Sequence, residues 1–321
     1  RLTFTADIFE RKVTDILIPG GKDYPALIGD DDLPFENAGI LKTTGFELQA
    51  KWSDKLANGF RYSVGVALSD DKAKVVSYPS NPTNKIGDGV LYKGYTVGDI
   101  WGYVTGGILQ EGDFDGVGAN GKPLYHGPYF KGGQAYPGYI WYQDLDHDGV
   151  ITTGLNTVDD PGDRKVIGNN APRYRYNITA NFQYKGFDLD LMFQGVGKRD
   201  YWLSSTSSYW GNGAGSWEVY NNSWTPERTD AKFPMYGSGT GSYPQTGYLL
   251  DASYIKLKQV ILGYTFPRAL INKIGLEKLR LNLAAYNLFT ISDMPKYYDA
   301  DYLSDAYPPK RTFSVGIQIG F

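Results

Sequence analysis

Apolar side chains recur at every second position in eight separated stretches of the chain. In the closing stretch Phe313, Val315, Ile317, Ile319 and Phe321 alternate with Thr312, Ser314, Gly316, Gln318 and Gly320. Successive side chains of a strand point to opposite faces, so this pattern predicts a β-strand with one apolar and one polar or small face. The same period marks Leu2, Phe4, Ala6 and Ile8; then Phe46, Leu48, Ala50 and Trp52; then Phe60, Tyr62, Val64, Val66 and Leu68. It returns at Tyr174, Tyr176, Ile178, Ala180 and Phe182, and at Phe187, Leu189, Leu191 and Phe193. Ile255, Leu257 and Ile261 mark the sixth strand, and Leu279, Leu281, Leu283 and Ala285 the seventh. The opposite faces carry Thr3, Thr5 and Asp7; Glu47, Gln49 and Lys51; Arg173, Arg175 and Asn177; Asp188 and Asp190; Lys256 and Lys258; Arg280 and Asn282.

Alternation alone also fits a soluble sandwich, whose polar faces look at water. The connections discriminate. They alternate between long and short: about 30 residues, a handful from Ser53 to Gly59, nearly a hundred, the Tyr184-Lys185-Gly186 turn, about fifty, about thirteen and about twenty. Long loops at one end and short turns at the other are expected of an outer-membrane barrel. The predicted fold class is all-β, an antiparallel transmembrane β-barrel segment of about eight strands with long extracellular loops. Trp52, Phe60 and Phe182 near short turns, with Phe289 and Phe313 near long loops, are placed where interfacial girdles belong.

Composition narrows the picture further. Aromatics reach 15% with 27 Tyr, and 40 Gly and 17 Pro gather between the alternating runs, which suits turn-rich loops. A formal charge of -3, from 32 basic and 35 acidic residues, gives no sign of a nucleic-acid partner. With no cysteine there is neither a disulfide scaffold nor thiol chemistry. No run of about 18 apolar residues occurs, so a transmembrane helix is not expected, whereas a barrel strand needs only about 9 to 11 residues. The chain opens inside a strand with no initiator Met and no apolar leader, which leads us to expect a mature or cut fragment.

Several runs together carry a family resemblance. They are Asp144-Leu-Asp-His-Asp-Gly-Val-Ile with Asp163-Arg164 and Val166-Ile-Gly-Asn-Asn-Ala-Pro172; Ser253-Tyr-Ile-Lys-Leu-Lys-Gln-Val-Ile-Leu-Gly-Tyr-Thr-Phe-Pro267; Tyr286-Asn-Leu-Phe-Thr290; and the closing strand ending in Phe321. Trp224-Thr-Pro-Glu227, Thr44-Gly-Phe-Glu47 and Tyr184-Lys-Gly-Phe-Asp188 add to them. In order and over essentially the whole chain, this combination resembles the SusC/RagA-type TonB-dependent transporters of Bacteroidetes outer membranes. The resemblance implies that residues 1–321 are the C-terminal portion of a barrel of about 22 strands. It further implies a plug and further strands from an N-terminal part absent here, a SusD-like surface lipoprotein as lid, and energy from TonB-ExbB-ExbD through that missing region. Phe321 would then be the terminal aromatic read by barrel-assembly machinery. The implied activity is uptake of oligosaccharides or oligopeptides; a passive porin or small autonomous barrel, and a secreted carbohydrate-binding β-protein, stay open as alternatives.

Asp144, Asp146 and Asp148 followed by Gly149 match the first half of a calcium loop, with carboxylates at alternate positions and a glycine for the sharp turn. Position twelve is Leu155, where a bidentate Glu would belong. The resemblance implies that Asp163 closes the loop instead, displaced by an insertion, with Asp159 or Asp160 as substitutes. The expected ion is Ca²⁺ or Mg²⁺; an Asx-rich turn held by backbone hydrogen bonds is the plain alternative. Catalysis is not expected: the histidines are His126 and His147, and neither G-x-S-x-G nor H-E-x-x-H occurs. Asp188 and Asp190 read as lumen-facing charges opposite Arg173 and Arg175 rather than as a glycosidase pair. The connection after the fifth strand is rich in aromatics among Ser, Gly and Asn, and Trp202, Trp210, Trp217 and Trp224 are its candidate sugar-stacking residues. Packing of these rings within the loop or against a lid is the alternative.

Overall fold

The computed structural model describes residues 1–20, 34–87, 89–202, 217–238, 243–295, 298–303 and 309–321. Its frame is one eight-stranded antiparallel sheet in strict chain order. The strands are β1 (Leu2–Pro19), β2 (Phe35–Lys55), β3 (Arg61–Ser77), β4 (Arg173–Tyr184), β5 (Phe187–Lys198), β6 (Tyr254–Thr265), β7 (Lys278–Ile291) and β8 (Thr312–Gly320). Every expected strand is present, and each pairs with its sequence neighbours. β1 and β8 are the two edges, and among the described residues neither edge is covered.

Register puts the apolar residues on one face in continuous rows. Phe4 lies opposite Ala50, Ala50 opposite Val66, and Val66 opposite Ile178. At the other edge Leu281 lies opposite Ile317 and Leu283 opposite Val315. These side chains face outward: Ile8 is 91% exposed and Val315 76%. A contiguous exposed apolar surface of this extent is costly in water and natural in a bilayer.

At the short-turn end the same face ends in aromatics. Phe60 stacks on Tyr62 and Phe182 with centroids 6.0 and 6.1 Å away, and Phe187 meets Tyr264 at 4.4 Å. The Trp52 indole N–H donates to the Tyr62 hydroxyl at 3.2 Å. Rings with an apolar body and a polar tip suit the membrane–water boundary. The turn joining β4 to β5 is tight because Lys185 and Gly186 both take positive φ, 47° and 87°, which matches the twist of a two-residue hairpin.

Two expectations require correction. The first long connection was expected to begin soon after Ile8, but β1 and β2 stay paired out to Pro19 and Phe35. The apolar period ends because Glu10 and Lys12 occupy the row of Leu2 to Ile8, and a register shift between Val13 and Ile16, with Asp15 at φ 57°, follows farther out. At about 3.3 Å per residue, the 18 residues of β1 run to roughly 60 Å, well past the apolar band of about 25 Å. The second correction concerns β6. A bulge between Leu257 and Gln259 reverses the faces, so Ile261 lies opposite Asp190 on the polar face while Val260 and Leu262 join Leu191 and Leu189 on the apolar one.

At the long-loop end the connections fold on one another. The β3–β4 connection contains short pairings, including residues Asp99–Tyr103 with Arg164–Asn169 and Thr105–Ile108 with Ile140–Tyr142. Tyr103, Ile140, Tyr142 and Ile151 from it share a core with Val219, Phe233 and Tyr248 from the β5–β6 connection. Tyr298, from the β7–β8 connection, packs against the same core. Three connections therefore form a single packed layer over the ends of the strands.

Candidate functional site

The acidic loop is built by backbone N–H groups. Asp163 is fully buried, and its two carboxylate oxygens accept the N–H groups of Leu145 and Thr152, each at 2.7 Å. Asp144 accepts from His147 at 2.7 Å and Gly149 at 2.8 Å. His147 and Gly149, at φ 62° and 86°, supply the left-handed turns that wrap the chain around that carboxylate. Carboxylate oxygens of Asp144, Asp146 and Asp163 converge within 4.8 Å of one another. The intervening insertion is thus looped out, and Asp163 is brought back to Asp144 and Asp146. Asp148, also expected as a ligand, is outside this group and accepts the Val150 N–H at 2.8 Å. The local charge density is high. At Asp146 partial desolvation, with the Asp163 and Asp148 charges, pushes the carboxyl up; at Asp144 desolvation acts likewise but is outweighed by the Gly149 and His147 hydrogen bonds, which hold it below its usual range. Three hard oxygen donors in this arrangement suit Ca²⁺ or Mg²⁺.

The four tryptophans separate. Trp224 is 3% exposed, its indole N–H donates to Gln110 Oε1 at 2.9 Å, and its ring closes over Gly138. Gly138 takes φ 84°, and a Cβ there would lie 2.4 Å from the ring. Trp224 is therefore a joint between two connections, with no face left for a sugar. Trp202 packs against the layer's core. Trp217 is 75% exposed and stacks on Tyr220 at 5.7 Å. Trp210 lies outside the described residues.

The polar face of the sheet is laced with ion pairs. Asp188 receives both guanidinium nitrogens of Arg280, and Asp190 accepts from Asn181. The two carboxylates thus do not face Arg173 and Arg175, which pair instead with Asp70 and Asp71 on β3. On β6 Lys256, 1% exposed, meets both oxygens of Asp299 at 2.8 Å, while Lys258 and the Tyr254 hydroxyl hold Asp301 at 2.8 and 2.6 Å. This strap fastens the β7–β8 connection to the sheet. Nothing in the local sequence around Asp299 or Asp301 signals it. At the long-loop end of the polar face is a cavity of about 590 Å³, lined among others by Asp7, Glu47, Arg175, Arg199, Tyr254 and Asp301.

No protein-family model matches the chain. Among curated proteins it is similar to TonB-dependent receptor P3 of Formosa agariphila, at 28% identity over the whole chain and 32% of the relative. It is also similar to TonB-dependent receptor SusC of Bacteroides thetaiotaomicron, at 25% identity over the whole chain and 30% of SusC. The chain thus spans about a third of the length of the curated relatives it matches. Its fold superposes on the RagAB peptide importer in its open-open state with a TM-score of 0.72 and 21% identity, covering the whole chain and 33% of that one. The alternating strands, the bilayer-suited outer face and the shared fold make the chain a segment of an outer-membrane β-barrel, similar in sequence to TonB-dependent receptors of the SusC type.

Proposed function

We propose that this chain is the C-terminal wall and loop layer of an importer that takes up oligosaccharides or oligopeptides at the expense of TonB-ExbB-ExbD, with a SusD-like lipoprotein as lid. The observation that carries this reading is the open sheet. Among the described residues both edges present unpaired backbone groups, and in hydrocarbon every such group needs a partner, so in this proposal strands additional to these eight complete the barrel. Extended to about 22 strands, as the resemblance implies, such a wall encloses a lumen wide enough for a plug and a large solute. The layered connections at one end form the docking side for nutrient and lid. Substrate passes by displacement of the plug, with no bond made or broken by this chain.

Asp144, Asp146 and Asp163 hold a Ca²⁺ or Mg²⁺ ion in this proposal, and the ion offsets three converging negative charges and stiffens the loop.

The test is uptake by cells carrying the complete transporter. Import of an oligomeric nutrient that stops when TonB is deleted is the expected result. Uptake indifferent to TonB would sink the proposal in favour of a passive pore.

A further inference from the structure

The outward rows of the first three strands change chemistry at one height. On β1 the row runs Leu2, Phe4, Ala6 and Ile8, then Glu10 and Lys12; on β2 Trp52, Ala50, Leu48 and Phe46, then Thr44 and Lys42; on β3 Val64, Val66 and Leu68, then Asp70, Lys72 and Lys74. Pairing is unbroken over these stretches, so the side chains share one face. Lys12 lies directly opposite Lys42 and Lys42 directly opposite Lys74, with Lys72 opposite Thr44 in the adjoining row. Side chains so placed stand about 5 Å apart at Cβ, and like charges in that relation repel. The carboxylates of the face are already engaged: Glu10 meets Lys42 at 2.9 Å, and Asp70 pairs with Arg173. Lys12, Lys72 and Lys74 are exposed and, among the described residues, form no ion pair. β2 and β3 are interior to the sheet, so these lysines are not there to guard an open edge.

Their height decides what they face. From Trp52, in the aromatic belt at the short-turn end, to Lys42 is about ten residues; at about 3.3 Å each and a tilt of about 40° these rise about 25 Å, the thickness of the apolar band. The lysines therefore stand where the acyl chains of the leaflet at the long-loop end meet their headgroups, directly above an apolar column on which those chains lie. We infer that Lys12, Lys42, Lys72 and Lys74 bind a phosphate of a lipid in that leaflet, the phosphorylated saccharide headgroup of lipopolysaccharide. A phosphate monoester brings nearly two negative charges and three acceptor oxygens to the ammonium groups, and so relieves a repulsion that the protein's own carboxylates leave standing. A soluble anion would meet the same lysines without using the column beneath them, so the acyl chains belong to the recognition. The site is on the outer wall, apart from the lumen, and does not depend on what the barrel imports.

The experiment is native mass spectrometry of the complete transporter in a neutral detergent, titrated with monophosphoryl lipid A, with the same lipid stripped of its phosphate, and with phosphatidylglycerol. Monophosphoryl lipid A is expected to bind, and the stripped lipid to bind about tenfold or more weakly. Lys72→Gln combined with Lys74→Gln should weaken the phosphorylated lipid about thirtyfold, the effect of two lysines at a charged bilayer surface, and leave the stripped lipid unchanged. Lys51→Gln, which removes a lysine from the opposite face of β2, should change neither. The lipid-free double variant should melt no lower than wild type, since it relieves repulsion between like charges, and this keeps lost binding distinct from lost fold. Equal binding of the phosphorylated and stripped lipids, or equal binding by wild type and double variant, would overturn the site. Phosphatidylglycerol binding as tightly as monophosphoryl lipid A would overturn its assignment to lipopolysaccharide.

Discussion

Lys256 on β6 places its ammonium 2.8 Å from both carboxylate oxygens of Asp299, a residue of the connection between β7 and β8. The lysine is sealed from solvent, whereas the Asp299 side chain is 18% exposed. The two partners should therefore respond unequally to mutation. Asp299→Asn leaves the buried ammonium with only the longer 3.5 Å contact to Asp301 and should cost on the order of 1–3 kcal/mol, whereas Lys256→Met frees a carboxylate that reaches water and should cost less. Thermal melting of the two variants checks the order, and equal losses would show that burial does not govern the pair.

Asp301 gives the strap a pH dependence. Its partial burial works against ionisation but is outweighed by hydrogen bonds from Lys258 and Tyr254, so its carboxyl titrates below the usual range. A depressed folded-state value contributes stability above the unfolded value of about 3.9 and loses it as pH falls through the folded one. Wild type should thus melt above Asp301→Asn at pH 7, with the gap closing toward pH 3. A gap as wide at pH 3 as at pH 7 would contradict the assignment.

The bulge in β6 makes a paired prediction about faces. Leu262→Arg puts a cation in the apolar band and should destabilise the barrel by about 2–4 kcal/mol near the midplane. Ile261→Arg, one residue away, points to Asp190 on the polar face and should be tolerated. Heat-dependent migration on gels compares them, and similar damage from both would mean that the face reversal is wrong.

Trp224 and Trp217 should part company in the same way. Trp224→Ala empties a packed joint and should cost about 3–5 kcal/mol, while Trp217→Ala should leave melting unchanged because its ring is mostly exposed. A silent Trp224→Ala would contradict the joint.

For the acidic loop, millimolar Ca²⁺ should raise the melting temperature of the wild type and leave Asp146→Asn unmoved. Asp163→Asn should melt lower with or without the ion, since it removes an acceptor of two backbone N–H groups. No response of wild type to Ca²⁺ removes the metal from the proposal.

The frame was legible wherever the period of two ran unbroken, as in Phe313 to Ile319 or Phe187 to Phe193, because burial in lipid imposes it residue by residue. It was lost where one inserted residue resets the phase. Lys258 hid the reversal that carries Ile261 inward, while the outer half of β1 escaped notice because Glu10 and Lys12 had already ended its apolar row. The Asp163 partnership was implied by family resemblance, since spacing alone pointed past it to Leu155. The split between Trp224 and Trp217, and the marriage of Lys256 to Asp299, depend on contacts between distant connections that no local pattern records.

The three connections that share Tyr103, Phe233 and Tyr298 form one mechanical unit. Local opening at any of them removes packing from the other two, so the layer at the mouth of this barrel should loosen and exchange its amide hydrogens cooperatively, while the strands beneath it stay closed.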